Sequence, residues 1–90
     1  MPGPLDGFRV IDVSAVVSGP LGSMLLADQG ADVIKVEPPG YGDIVRTGTN
    51  RRGGLAAFFI NCNRSKRSIV VDLQKEEGRD LVQELVRGAD

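Results

Sequence analysis

The chain offers few groups for chemistry: one cysteine, no histidine, and 11 basic against 12 acidic residues. Without histidine, neither a Ser-His nor a Cys-His nucleophile pair can be assembled from these residues. Cys62 closes an apolar run that begins at Leu55, where a thiol is a packed and inert group. A lone cysteine also makes no internal disulfide and no cysteine metal cluster. The acids placed where they could move protons are Asp12, Glu37, Asp43 and Asp72. Asp12 and Asp72 fall in predicted strands, where a single carboxylate commonly serves as a structural hydrogen-bond acceptor. None of the four is assigned as a catalytic base, so no catalytic residue is expected in this chain.

Anion binding is the better-supported chemistry. Arg46, Arg51, Arg52, Arg64, Lys66 and Arg67 fall in a stretch, 44–71, that contains no Asp or Glu. Within it, Asn63 to Ser68 offers three cations with amide and hydroxyl donors, a set suited to a phosphate group through charge-assisted hydrogen bonds; a solvated surface turn is the competing reading. A second anion site is expected where Gly19 and Pro20 follow the first strand, because a helix N-terminus presents free amides there; a tight turn without a ligand reads equally well. Glu37 stands at about the distance at which a dinucleotide fold carries its ribose-binding acid, but Ser18 to Gly22 lacks the three-glycine spacing, and there is no Walker A sequence. The net charge of −1 gives no field to steer the chain to nucleic acid or membrane.

These groups need a scaffold. Residues 8–13 read as a largely buried strand and 31–37 as a second, closed by Pro38-Pro39-Gly40. Residues 68–73 read as a third. Between the first two a helix is expected, capped by Ser18 or Gly19, with Pro20 in its first turn and Gly30 as its stop. Leu21, Met24 and Leu25 supply its apolar face. Positions 40–54 read as a polar loop, and 55–62 as a helical turn in preference to a strand. Residues 75–87 read as a helix with Leu81, Val82, Leu85 and Val86 on one face, Glu76 and Glu77 at its N-terminal end, Arg87 at its C-terminal end and Gly88 beyond. The order β-α-β-(α)-β-α implies an α/β fold with a parallel sheet. The segments trailing the strands, 14–20, 38–54 and 72–75, are where an open parallel sheet binds ligands. At 90 residues the chain is one small domain or part of a larger one. The N-terminus has no signal-peptide pattern and no apolar run approaches the roughly 18 residues of a membrane span, so a cytoplasmic location is expected.

Read together, the segments resemble the class III CoA-transferase family (CaiB/BaiF). The matching pieces run from Pro4-Leu5-Asp6-Gly7 and Val10-Ile11-Asp12-Val13-Ser14 through Gly19-Pro20 to the stretch from Met24 to Glu37. They continue with Gly42-Asp43, Arg46, Phe58-Phe59, Asn63-Arg64, Lys66-Arg67-Ser68-Ile69, Val71-Asp72-Leu73 and Glu77-Gly78-Arg79. The resemblance covers essentially all of residues 1–90 and corresponds to the N-terminal part of a longer protein.

The resemblance implies a partial Rossmann-like domain, an interlocked homodimer, and transfer of coenzyme A between an acyl-CoA thioester and a small carboxylic acid. The nucleophile it implies is an aspartate beyond residue 90, so the 90-residue chain alone is expected to be inactive. Coenzyme A is then a substrate, and no metal or redox cofactor is implied. Carried over by position, the CoA contacts are Val17 and Ser18 after the first strand, and Val71, Asp72, Leu73 and Gln74 at the end of the third. Pro38 stands where the family often has a phosphate-binding arginine, which leaves Arg46, Arg64, Lys66 and Arg67 as candidate substitutes. Two alternatives stand beside this reading: an α-methylacyl-CoA racemase, disfavoured by the insertion from Leu55 to Arg64, and a non-catalytic binding or dimerisation module.

Overall fold

The structure, a computed structural model, describes residues 3–48, 51–53 and 55–90; the side chains of Arg51 and Leu55 also lie outside the described residues. Its elements in chain order are β1 (Arg9–Asp12), α1 (Ser18–Asp28), β2 (Asp32–Glu37), a 3-10 turn (Ile44–Thr47), β3 (Arg51–Arg52), β4 (Leu55–Ala56), α2 (Ala57–Asn63), β5 (Arg67–Val70) and α3 (Glu76–Arg87). Strands β1, β2 and β5 form one parallel sheet in that order. The register pairs Asp12 with Lys35 and Glu37 with Val70, so all three strands end on the same side. This is the expected Rossmann-like α/β arrangement. Strands β3 and β4 add a two-residue antiparallel ladder: β3 falls in the expected loop 40–54, while β4 opens the segment 55–62, whose expected helical character begins only at Ala57 with α2.

Burial is concentrated on one strand. Five of the six residues of β2 are buried, from Val33 to Glu37. The expectation that β1 is largely buried is corrected: only Asp12 is buried there, and Val13 just beyond is exposed. Strand β5 is likewise mostly exposed. Both flank the central strand as edges of a three-stranded sheet, so one side of each lacks a neighbour. One cluster of the apolar core joins Ala27, Ala31 and Val33, with Leu5 and Val10 packed against them, and Met24, Ile34, Val36, Ala56, Cys62 and Val71 are buried as well.

Helix α1 packs in a different register from the one its leucines suggest. Met24 is buried, but Leu21 and Leu25 are exposed, and the inward face is Pro20, Ser23, Met24 and Ala27. The helix is apolar nearly all round, so periodicity does not choose a face. The polar side chain chooses it instead, because Ser23 Oγ donates to the buried Asp12 carboxylate at 2.8 Å. The helix also starts earlier than expected: Val17 is its N-cap, without a side-chain hydrogen bond, so neither Ser18 nor Gly19 caps it. Gly30 follows the helix with φ +105°, as a glycine stop requires.

Helix α3 occupies the predicted span, with Lys75 and Gly88 at its ends. Its face of Leu81, Val82, Leu85 and Val86 is nevertheless not buried. No helix among the described residues is long and apolar enough to cross a membrane.

Candidate functional site

An open cleft of about 670 Å³ lies across the carboxyl ends of the three parallel strands. Each strand contributes its trailing segment: Val13, Ser14 and Ala15 after β1, Pro38, Pro39 and the stretch Gly42–Ile44 after β2, and Asp72, Leu73 and Gln74 after β5. The two prolines stop β2 from extending into this space, since neither can donate to the ladder. Beyond them the chain turns back at Gly42, whose φ is +72° and whose Cβ position would lie 2.6 Å from Glu37 Oε1. Only a residue without a Cβ lets the next amide, that of Asp43, donate to Glu37 Oε1 at 2.8 Å. The third wall depends on a close approach as well. A Cβ on Gly78 of α3 would meet the Asp72 carbonyl oxygen at 2.0 Å, so glycine lets the helix sit under this wall.

Beneath the cleft floor lies a buried ionic network. Asp12 accepts hydrogen bonds from the Ser14 amide at 2.8 Å, from the Ser14 and Ser23 hydroxyls, and from Lys66 Nζ at 2.8 Å. Lys66 also donates to the carbonyl of Pro20 and to Asn63 Oδ1. Lys35 Nζ donates to the Ser14 carbonyl at 3.2 Å and lies 2.8 Å from Asp43 Oδ2, an ion contact without hydrogen-bond alignment. Glu37 accepts from both Nε and Nη2 of Arg46, at 2.6 and 2.8 Å, and from the Ser68 hydroxyl. The Arg46 guanidinium in turn lies 3.7 Å above the Phe59 ring, tying the 3-10 turn to α2.

These surroundings settle the charge states. Burial pushes the Asp12 carboxyl up, but the hydrogen bonds from Lys66, Ser14 and Ser23 outweigh it and hold the group at about 2. Burial acts likewise on Glu37, where Arg46, Ser68 and the Asp43 amide bring it down to about 2. Asp43 is also lowered, burial being overcome by Lys35 and the amides of Val45 and Val16. Asp12, Glu37 and Asp43 therefore have carboxylates of lowered basicity, a poor starting point for a general base. The fourth, Asp72, lies beyond β5 rather than in it and accepts from the Gln74 amide at 3.0 Å. Its exposure on the cleft follows from the early end of the strand.

The residues carried over by resemblance divide by position. Asp72, Leu73 and Gln74 line the cleft. Val71 is buried behind them, its amide donating to the Glu37 carbonyl at 2.9 Å. Val17 and Ser18 follow the lining turn Ser14-Ala15 after Val16, without lining the cleft themselves. The cations are not gathered into one cluster. Arg46 is paired with Glu37, Lys66 is buried on Asp12, Arg64 is paired with Asp28 and Arg67 with Asp32. Asp32 and Arg67 open their strands, so that pair sits at the end of the sheet opposite the cleft. Sequence reasoning placed Ser14 and Ala15 in a ligand-facing segment, 14–20, without singling them out, and passed over Lys35. The signal for Lys35 was present: a lysine amid the valines and isoleucine of a buried strand needs a buried carboxylate within reach.

Comparison with known proteins agrees with this fold. The family model of CoA-transferase family III matches residues 5–90, and the chain belongs to that family. It is 47% identical to the acetyl-CoA:oxalate CoA-transferase of Acetobacter aceti over 88 residues, which is 98% of this chain and 23% of that protein. It is also 47% identical to the succinyl-CoA–D-citramalate CoA-transferase of Chloroflexus aurantiacus, covering 99% of this chain and 22% of that one. A crystal structure of a CaiB/BaiF family protein from Brucella suis superposes with a TM-score of 0.90 at 47% identity, over 100% of this chain and 25% of the other. The chain thus spans about a quarter of the length of the relatives it matches.

Proposed function

We propose that this chain supplies the CoA-binding wall of an enzyme that moves coenzyme A from an acyl-CoA thioester to a carboxylic acid. The observation that carries the reading is the convergence of three loops, one from each parallel strand, on a single cleft at the carboxyl ends. That is where an open α/β sheet places its ligand. The family match and the names of the two relatives supply the chemistry of the ligand. Asp72, Leu73 and Gln74 form the contact wall beyond β5, and Val17 and Ser18 extend the wall beyond β1. Arg46 is the cation best placed for the phosphates, since it packs beside Gly42 of the cleft. Arg64, Lys66 and Arg67 are left with structural pairing. Nucleophilic catalysis belongs to a carboxylate outside residues 1–90, and the enzyme acts as a homodimer.

Isothermal titration of the 90-residue chain with coenzyme A tests the reading. Weak, saturable binding is expected, together with competition by an acyl-CoA and no exchange of CoA between thioesters. Absence of heat up to millimolar coenzyme A contradicts a binding role for this wall. CoA exchange by the purified chain contradicts the placement of the nucleophile elsewhere.

A further inference from the structure

We propose that Lys35 and Asp43 are positioning residues, a clamp that imposes a left-handed backbone at Val16 and thereby sets the shape of the cleft wall beyond β1. The clamp grips two successive peptide groups. Lys35 Nζ holds the Ser14 carbonyl at 3.2 Å, and Asp43 Oδ1 accepts from the Val16 amide at 3.1 Å. The two clamp side chains meet each other at 2.8 Å, each only 1% exposed. Asp43 is itself anchored, because its Oδ1 accepts from the Val45 amide at 3.0 Å and its own amide donates to Glu37. Ala15 is thus fixed between two pinned peptides, and both Ser14 and Ala15 line the cleft.

What the clamp holds is strained. Val16 has φ +74°, the left-handed region that a β-branched residue is least suited to adopt. Such a conformation persists only where its surroundings over-determine it, and it concentrates at binding and catalytic sites. Val16 is exposed, so packing does not impose the conformation; the hydrogen bond from its amide to Asp43 is the available cause. From Val16 the chain passes through Val17 directly into α1, so the torsion at Val16 also sets where the helix N-terminus faces the cleft. Lys35 lies on the central strand and Asp43 in the loop after it. The clamp therefore makes the walls beyond β1 and β2 one unit.

The geometric part of this inference stands on the turn alone, while its consequence for coenzyme A rests on the proposed function. The test uses the isotope-labelled 90-residue chain and its Asp43→Ala, Val16→Gly and double variants. In Asp43→Ala the one-bond Cα–Hα coupling of Val16 should leave the left-handed range. Its amide exchange should rise about tenfold or more while Val33 and Ile34 keep their protection. If the competent turn falls to about a fifth of the population, the apparent Kd for coenzyme A rises about fivefold. Glycine adopts the required φ unaided, so the double variant should recover most of that affinity, a rescue that a general stabilising role for Asp43 does not give.

Retention of the left-handed coupling and of amide protection at Val16 in Asp43→Ala overturns the clamp. A double variant that binds as weakly as Asp43→Ala overturns its link to the ligand. Should Asp43→Ala not fold, Val16→Gly decides: replacing a strained valine should raise the unfolding midpoint, and a lowered midpoint contradicts the strain. If the parent chain does not bind coenzyme A, the functional reading fails while the Val16 measurements still decide the clamp.

Discussion

At the amino ends of the strands, Arg9 and Arg67 converge on Asp32, with side chains 39–63% exposed. At the carboxyl ends, Lys35, Lys66, Asp12 and Asp43 make the same kinds of contact at 1–3% exposure. The chemistry is alike at both ends; the dielectric is not. Exposed pairs are screened by water and salt, and their partners lose little when separated. Buried pairs gain little net stability over an apolar core, but removing one partner strands a charge that water cannot reach. The carboxyl end is therefore a place where ionic geometry is enforced. That is what a binding cleft needs from its floor.

Acid should separate the two ends most sharply. Asp12 and Glu37 are depressed from ordinary values of 3.8 and 4.5 to about 2, and Asp43 is depressed as well. A folded-state pKa below the unfolded one gives stability that is complete above the unfolded value and is lost as pH falls through the folded value. Urea midpoints should hold steady down to about pH 5 and then collapse between about pH 4 and pH 2. Asp32 is also lowered, chiefly by Arg67, but that contribution is exposed to solvent. Repeating the series in 1 M salt should therefore leave the collapse in place. A flat midpoint across this range would mean that the carboxyl-end network contributes nothing.

Single substitutions sharpen the contrast. Lys35→Met leaves Asp43 buried without its partner and should cost about 3–5 kcal/mol by chemical denaturation. That is a large share of the roughly 5–13 kcal/mol open to a domain of this size. Gly78→Ala forces a methyl group against the Asp72 carbonyl and should cost about 1–3 kcal/mol. It should also weaken coenzyme A binding, because Asp72 lines the cleft. Arg67→Ala at the opposite end should cost less than about 1 kcal/mol and leave binding unchanged. If Arg67→Ala matched Lys35→Met, burial would not be what distinguishes the two ends.

Much of the architecture was legible in the residues themselves. Glycine and proline punctuate the elements, and α3 announced itself through Glu76, Glu77, Leu81, Leu85 and Gly88. Its span agrees with the structure to within one residue at the start. Burial was less legible. The β-branched residues of β1 read as core, yet in a three-stranded sheet only β2 has neighbours on both sides. The face of α1 was hidden because its apolar residues lie all round, and a serine hydroxyl reaching Asp12 selects the face.

The candidate site was half legible. The rule that ligands sit beyond strand ends pointed to the segments that line the cleft, Asp72, Leu73 and Gln74 among them. The cationic run from Arg64 to Arg67 looked like a phosphate site because sequence shows charges without their partners. Asp12, Asp28 and Asp32 lie more than thirty residues away in the chain and become visible as partners only on folding. The clamp was hidden for the same reason: Asp43 and Val16 are 27 residues apart.

The account rests on the carboxyl-end cleft being where coenzyme A meets this chain, and amide chemical-shift mapping during a coenzyme A titration tests that most directly. The predicted result is progressive shifts at Ser14, Ala15, Ser18, Leu73 and Gln74, with Arg9, Asp32 and Arg67 unmoved. Shifts confined to the Arg9–Asp32–Arg67 end, or none at the cleft at saturating coenzyme A, would contradict it.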